Sequence, residues 1–217
     1  MDLRLFPLRT VLLPGMALPL EVFEQRYLQL VSECVDASEP FGVVLIREGE
    51  EVGTPATPHE LGTTARIESV ERGQHGRLQL RTVGERRFRI VTLYNDRPYL
   101  WAEVEYPADE ATETPEPLMQ RARESYSALV RLRLTASGEY LRDVPTPKTP
   151  GALADAVGAE VATISARPDE LQGLLEAIDV RGRLVRALEL MEVAIPVAQR
   201  QTRAAITRRS GGIARLS

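Results

Sequence analysis

Few residues in this chain could do covalent chemistry, and each stands in a poor place for it. Lys148 is the only lysine. A phosphate-cradling G-x(4)-G-K-[ST] loop sets its lysine beside glycines whose backbone amides wrap the phosphates. Lys148 instead lies in Val-Pro-Thr-Pro-Lys-Thr-Pro, where the flanking prolines have no amide hydrogen to give. A serine activated by a lysine meets the same obstacle, since no matching motif surrounds that one lysine. Cys34 is the only cysteine, which excludes an internal disulfide and a thiolate cluster. Its place on the apolar side of a predicted helix reads as a buried structural thiol. His59 and His75 stand far apart in polar segments flanked by glycine or proline, and two histidines supply too few ligands for zinc. No G-x-S-x-G, H-E-x-x-H or G-x-G-x-x-G occurs. The acidic groups around Glu48 to Glu51 and at Asp109-Glu110 read as solvated loops. Glu24 and Arg26 could be mistaken for a catalytic pair but read as fixing the helix to the barrel by hydrogen bonds or an ion pair. The expectation is no catalytic residue, no metal site and no cofactor.

Recognition is what remains. Strand alternation from Tyr99 to Glu105 puts Leu100, Ala102 and Val104 inside and Tyr99, Trp101, Glu103 and Glu105 outside, next to a hairpin presenting Arg77, Arg81, Arg87 and Arg89. Such a face is stabilised by cross-strand aromatic packing and Arg–Glu pairing. It could also take up extended or unfolded peptide, through Tyr99, Trp101, Arg87 and Arg89 or along an open strand edge. A groove between two lobes, with Phe6, Met16 and Leu18 facing the helices, is a second candidate.

The elements that would position these residues follow from periodicity. Residues 5 to 31 read as strand, turn, strand, helix, with Val11 to Leu13 of buried-strand length and Pro14-Gly15 as the reversal. The helix begins near Val22 and carries Phe23, Tyr27, Leu30, Val31 and Cys34 on one stripe. Phe41 to Arg47 is a strand buried on both faces, and Gly49 to His59 is a loop. From Leu61 to Tyr106 alternation broken by turn signals predicts a meander, with reversals at residues 72–76 and at Gly84. Six or seven strands and one helix would close into a small, partly open barrel, since long bare edges invite association. Residues 107–117 are acidic and proline-rich, a linker. Helices follow over about 117–134 and 152–164, from Pro168, and along Leu184, Leu188, Met191, Ile195 and Ala198, where Pro196 must kink or end the last one. The predicted class is α+β: a β-rich lobe over 1–106, a linker over 107–117, a helical-bundle lobe over 118–201 and a frayed basic tail over 202–217.

Phe6-Pro7-Leu8, Leu13-Pro14-Gly15, Pro19-Leu20 and Phe23-Glu24-Gln25-Arg26-Tyr27 stand in the order found at the opening of the Lon substrate-binding domain, the amino-terminal module of ATP-dependent Lon proteases. The resemblance continues through Glu51-Val52-Gly53, Gly62 to Ile67, Gly76-Arg77-Leu78, Gly84 to Ile90, Tyr99 to Glu105, Leu153-Ala154-Asp155 and Leu174-Leu175-Glu176, covering about residues 3 to 200. It implies that the β-rich lobe is a pseudo-barrel related to PUA-like folds. It also implies a module that recruits substrates, while ATP hydrolysis and peptide cleavage belong to other domains.

Composition is that of an ordinary globular chain, with 43 % hydrophobic and 27 % charged residues. A net charge of -4 opposes a general electrostatic grip on nucleic acid. No secretory leader and no apolar run of spanning length is read, which points to the cytoplasm and away from a membrane. The reading is a non-catalytic protein that binds unfolded polypeptide or a partner protein, in substrate recognition or as an adaptor in protein quality control, with a homodimer open to it. The alternative is RNA binding by the barrel, with the four arginines on phosphates and Trp101 stacking on a base.

Overall fold

The computed structural model describes residues 1–49, 56–165 and 167–213; Glu51-Val52-Gly53, the acidic pair Glu50-Glu51 and Arg215 lie outside the described residues. The chain is of mixed α+β content and forms two compact units. Unit 1 is Met1–Ala108 with Leu171–Ile178, and unit 2 is Asp109–Glu170 with Asp179–Ser217.

Unit 1 holds strands β1 (Asp2–Leu8), β2 (Ala17–Val22), β3 (Phe41–Glu48), β4 (Thr57–Pro58), β5 (Leu61–Arg72), β6 (Leu78–Tyr94) and β7 (Trp101–Glu105), with helix α1 (Gln25–Ala37) between β2 and β3. The order is β1-β7-β6-β5-β3-β4. Because β1 also pairs with β3, in parallel from Leu5↔Gly42 to Leu8↔Leu45, the ladder returns to the strand it started from. A parallel pair needs a crossover, and α1 lies within it. Six consecutive residues of β3, Phe41 to Ile46, are buried, as the β-branched run requires. Phe6 stacks on Tyr27 at 4.0 Å and meets Phe41 at 5.9 Å, at the centre of a core that takes in Leu30, Val31 and Cys34. Phe88 fills the other core; a Cβ on Gly42 or Gly62 would come within 2.7 Å or 2.6 Å of its ring.

Three sequence expectations need correction here. Val11 to Leu13 are buried but belong to no strand. Gly84 is no reversal, for β6 runs straight through it. Its missing side chain makes room for the carbonyl of Leu13, which would lie 2.3 Å from a Cβ there. Gly84 also exchanges main-chain hydrogen bonds with Gly15 and Met16, so the glycine marks a close approach of two backbones. Phe23 is off the helix stripe: α1 starts at Gln25, and Phe23 is 55 % exposed.

Unit 2 is built on α2 (Glu116–Ser137), α3 (Pro150–Ala162) and α5 (Val180–Ile213). Thr149 caps α3, its Oγ1 accepting from the Ala152 amide at 3.3 Å, and Pro150 sits where a helix needs no amide donor. Arg183 is fully buried and paired with Asp155 and Asp109. Pro196 lies inside α5 and does not end it, and, contrary to expectation, the helix does not fray at residue 202. The buried Thr202 donates to the Leu132 carbonyl at 3.0 Å, anchoring the stretch past the proline to α2. The segment of α4 (Pro168–Glu176) from Leu171 onward belongs to unit 1, although the sequence placed it in the helical lobe. There Arg87 Nε donates to the Leu175 carbonyl at 2.9 Å and Gln172 Nε2 to the Leu61 carbonyl at 3.1 Å, while Leu171, Leu174 and Leu175 are buried.

Candidate functional site

β5 loses its second neighbour after Ala65. β3 pairs with it only at Thr63, Thr64 and Ala65, so the stretch to Arg72 has β6 on one side and no strand on the other. β2 covers the opposite edge of β6 from Ala17↔Val83 to Val22↔Leu78. The result is a three-stranded arm made of β2, the first part of β6 and the second part of β5. Directly opposed residues share a face, and the register gives Leu18–Thr82–Ile67, Leu20–Leu80–Val70 and Val22–Leu78–Arg72 as successive rungs of one face. That face is almost wholly apolar. Leu18, Val22 and Leu80 belong to the core, but Met16, Leu20, Leu28, Ile67 and Leu78 pack on it while remaining partly exposed, and Val70 is 39 % exposed.

The other face of the arm is polar. Pro19, Glu21, Glu71, Gln79 and Arg81, together with Leu20 and Leu80, line a shallow depression of about 400 Å³, and a second of about 420 Å³ toward the hairpin tip shares Glu21 and Gln79 and adds His75 and Arg77. Arg77 is paired with Glu21 at 2.6 Å and lies 5.6 Å from the ring of the exposed Phe23. β2 is an edge strand. Gly84 N donates to Met16 O at 2.9 Å, and counting by twos makes Leu18, Leu20 and Val22 the residues bonded to β6. The main chain of Ala17, Pro19 and Glu21 therefore faces outward, and Pro19, in the middle, has no N–H to offer an added strand.

The residues singled out in the sequence do not converge. Tyr99 was expected outside but is 3 % exposed: it precedes β7, in the turn from β6, and so escapes the strand alternation. Its hydroxyl donates to Glu33, which also accepts from Gln29 at 2.9 Å and from Arg4 at 3.0 Å. Those hydrogen bonds, Tyr99's first, hold the Glu33 carboxyl down at about 2, while burial and then Glu33 push the Tyr99 hydroxyl up. Phe6 and Leu18 are buried in the core of unit 1, Phe6 in the ring stack with Tyr27 and Leu18 on the inward side of β2. Arg87 is buried, spent on the Leu175 carbonyl. Arg89 is half-exposed and paired with Glu105 at 3.4 Å. Trp101 is half-buried, with Tyr94 stacked on it at 4.1 Å and the guanidinium of Arg97 4.4 Å from its centroid. A ring stacked that closely leaves room for the guanidinium only on the opposite face, so both faces of the indole are covered. Its Nε1 donates to Asp96 at 2.6 Å. Of the seven, Met16 and Leu18 lie on the apolar arm face, and of these two only Met16 is partly exposed. The set proposed for phosphates, Arg77, Arg81, Arg87 and Arg89, leaves Arg81 as its one exposed member with no carboxylate partner among the described residues.

The burial of Cys34 pushes its thiol up to about 11, which makes it a poor nucleophile at neutral pH. Among the described residues no helix is long and apolar enough to cross a membrane. The arm residues Leu20, Ile67, Leu78 and Val70 went unnoticed as a surface. Ile67, Leu78 and Leu80 alternate with polar neighbours along their strands, but no local signal tells that the β3 pairing stops at Ala65 and leaves their side of the sheet partly open.

Residues 2–193 match the family model described as the ATP-dependent protease La (LON) substrate-binding domain. The chain is similar to the Lon protease of Methylocella silvestris, 30 % identical over 209 residues that cover 92 % of this chain and 25 % of that protein. It is 32 % identical to Lon protease 2 of Myxococcus xanthus, over 87 % of this chain and 23 % of that one. Among solved structures it resembles a Lon N-terminal domain protein from Xanthomonas campestris, at 29 % identity and a TM-score of 0.64, covering 87 % of this chain and 98 % of the other. The N-terminal domain of the Mycobacterium avium complex Lon protease shares the fold at 22 % identity and a TM-score of 0.62, covering 88 % and 98 %. The chain spans about a quarter of the length of the curated relatives it matches.

Proposed function

Because the chain belongs to the Lon substrate-binding domain family, we propose that it binds polypeptide segments without chemistry of its own, as a substrate-recognition or adaptor element in protein quality control. The closed ladder of unit 1 is, in this reading, the PUA-like pseudo-barrel, and the arm is its recognition surface. One observation carries the reading. The rung Leu20–Leu80–Val70 and its neighbours continue the buried core outward as partly exposed apolar side chains. Water-exposed apolar area contiguous with a rigid core takes up unfolded segments at small entropic cost to the protein, through contacts tolerant of client sequence.

A permanently unfolded polypeptide, reduced, alkylated and fluorescently labelled, tests this by anisotropy. Wild-type protein binds it, and the complex survives 0.5 M salt because apolar contact is not screened. Val70→Asp weakens binding while the thermal midpoint holds. Equal affinity in Val70→Asp and wild type would assign the binding to another surface, and a collapse of affinity with salt would favour the RNA-type electrostatic mode instead.

A further inference from the structure

The arm has two edges, and they differ in what their main chain can offer. On β2 the outward groups include Pro19, which has no N–H. On β5 the register decides which groups face out. Leu78, Leu80 and Thr82 bond to β2, so the intervening Gln79 and Arg81 bond to their β5 partners Glu71 and Ser69. The 2.9 Å hydrogen bond from Gly73 N to Arg77 O continues the same count at the hairpin end. The main-chain N–H and C=O of Val70 and Arg72 therefore point away from β6, to a side where no strand lies among the described residues. A bulge between Ile67 and Ser69 bounds this stretch at its start. Ser69 to Arg72 is a short open edge, and it contains no proline.

The side chains along that edge are unmatched as well. Val70 ends the rung Leu20–Leu80–Val70 and is exposed. Ser69 Oγ is buried and makes no hydrogen bond among the described residues. Glu71 and Arg72 are exposed and form no ion pair among them. One strand added antiparallel to β5 answers all four. Val70 and Arg72 each exchange a closely spaced pair of hydrogen bonds with the residue opposite. An aliphatic side chain opposite Val70 extends the apolar rung by one member. Across from Ser69 and Glu71, where opposed side chains stand closest, a hydroxyl and a cation complete the pairs, and an anion does so opposite Arg72.

We infer that the edge from Ser69 to Arg72 binds client polypeptide as an added antiparallel strand, favouring, from the client's N-terminus, an anion, a cation, an aliphatic residue and Ser or Thr. The inference rests on the arm being the recognition surface and adds main-chain pairing to its apolar contact. Each hydrogen bond gained is of small net worth, so the affinity is modest and the side-chain order is a preference. The client must be extended, which an unfolded segment is and a folded domain is not.

The experiment titrates full-length protein against a capped, fluorescein-labelled peptide with Glu-Lys-Val-Thr at its centre, followed by anisotropy. Two N-methylated versions decide the matter on wild-type protein. Methyl groups on the Glu and Val amides, which face β5, abolish binding; methyl groups on the Lys and Thr amides, which face away, leave it within about twofold. Val70→Pro keeps an apolar side chain but loses the outward N–H, and Val70→Ala keeps the N–H. Strand addition puts Val70→Pro roughly fivefold or more below Val70→Ala, about the worth of one hydrogen bond, with similar thermal midpoints because that N–H serves no bond to β6. Equal affinity of the two methylated peptides, or the opposite order, overturns the inference, as does an unmethylated peptide that does not saturate. A concentration-dependent dimer in sedimentation that Val70→Pro dissolves overturns it in favour of a second copy on the same edge. If Val70→Asp still weakens unfolded-client binding in any of these cases, the apolar face stands and only strand addition falls; if Val70→Asp has no effect, both fall.

Discussion

β5 and β6 pass through two environments within one unit, and the contrast separates what holds the protein together from what it can offer a partner. In the closed ladder they have neighbours on both sides. Every inward side chain there meets another, as Phe88 does on Gly42 and Gly62 and Phe6 does on Tyr27. In the arm the same two strands keep β2 as their only companion, and the inward face is finished by half-exposed Met16, Leu20, Ile67 and Leu78. The ladder's apolar area is spent on folding. The arm's is partly left over, and a perturbation should therefore act on stability in one region and on binding in the other.

The largest effect belongs to the centre of the ladder. Phe6→Ala removes the ring stacked at 4.0 Å on Tyr27 and should cost about 3 to 5 kcal/mol in denaturant unfolding, with the residual folded protein still binding client. A cost below about 1 kcal/mol would mean that the aromatic stack is not what holds the ladder. Gly84→Ala comes next. It sits where ladder and arm meet, and its Cβ would be driven against the Leu13 carbonyl, a backbone atom with little room to give. A loss of about 1 to 3 kcal/mol is expected, typical of overpacking. Wild-type stability there would show that residues 13–16 shift freely, and the arm would then be less firmly fixed than the ladder bonds of Gly84 imply.

On the arm the signs reverse. Val70→Ser alters a side chain that is 39 % exposed, so stability should stay within about 0.5 kcal/mol, while affinity for an unfolded client drops several-fold in anisotropy. If unfolding midpoints fall and affinity does not, the arm is one more piece of core and the contrast disappears.

The ladder was more readable from sequence than the arm, for a physical reason. Burial on both sides of β3 and the helix stripe from Tyr27 to Cys34 leave local patterns, because every residue of a given period obeys the same environment. Tyr99 broke its pattern because it belongs to a turn, and its inward course is set by Glu33, sixty-six residues away in the chain. Gly84 reads as a turn for the same reason that it is a close approach: both need a residue without a side chain, and only the fold says which. The recruitment of Leu171–Ile178 to unit 1 depends on Arg87 and Gln172 finding carbonyls about ninety and a hundred and ten residues distant, which no periodicity encodes. The arm face was half visible, since its alternation was correct and only the missing third strand was not.

The smallest effect sharpens the contrast through pH. Tyr99, Gln29 and Arg4 hold the Glu33 carboxyl at about 2 in the fold, against an ordinary value of 4.5. A depressed carboxylate contributes stability that is complete above about 4.5 and is lost as pH falls toward about 2. Glu33→Gln removes that titration while keeping an acceptor for the Tyr99 hydroxyl, so its unfolding midpoint should lie below wild type at pH 7 and approach it by pH 3. With a third of the Glu33 side chain open to solvent, the gap should stay under about 1 kcal/mol. Arg4, Glu33 and Tyr99 tie β1, α1 and the turn before β7, none of them a strand of the arm, so client affinity at pH 7 should not change. Parallel pH profiles for the two proteins would detach the Glu33 cluster from stability, and a loss of affinity would join to the arm a part of unit 1 that the strand pairings keep separate.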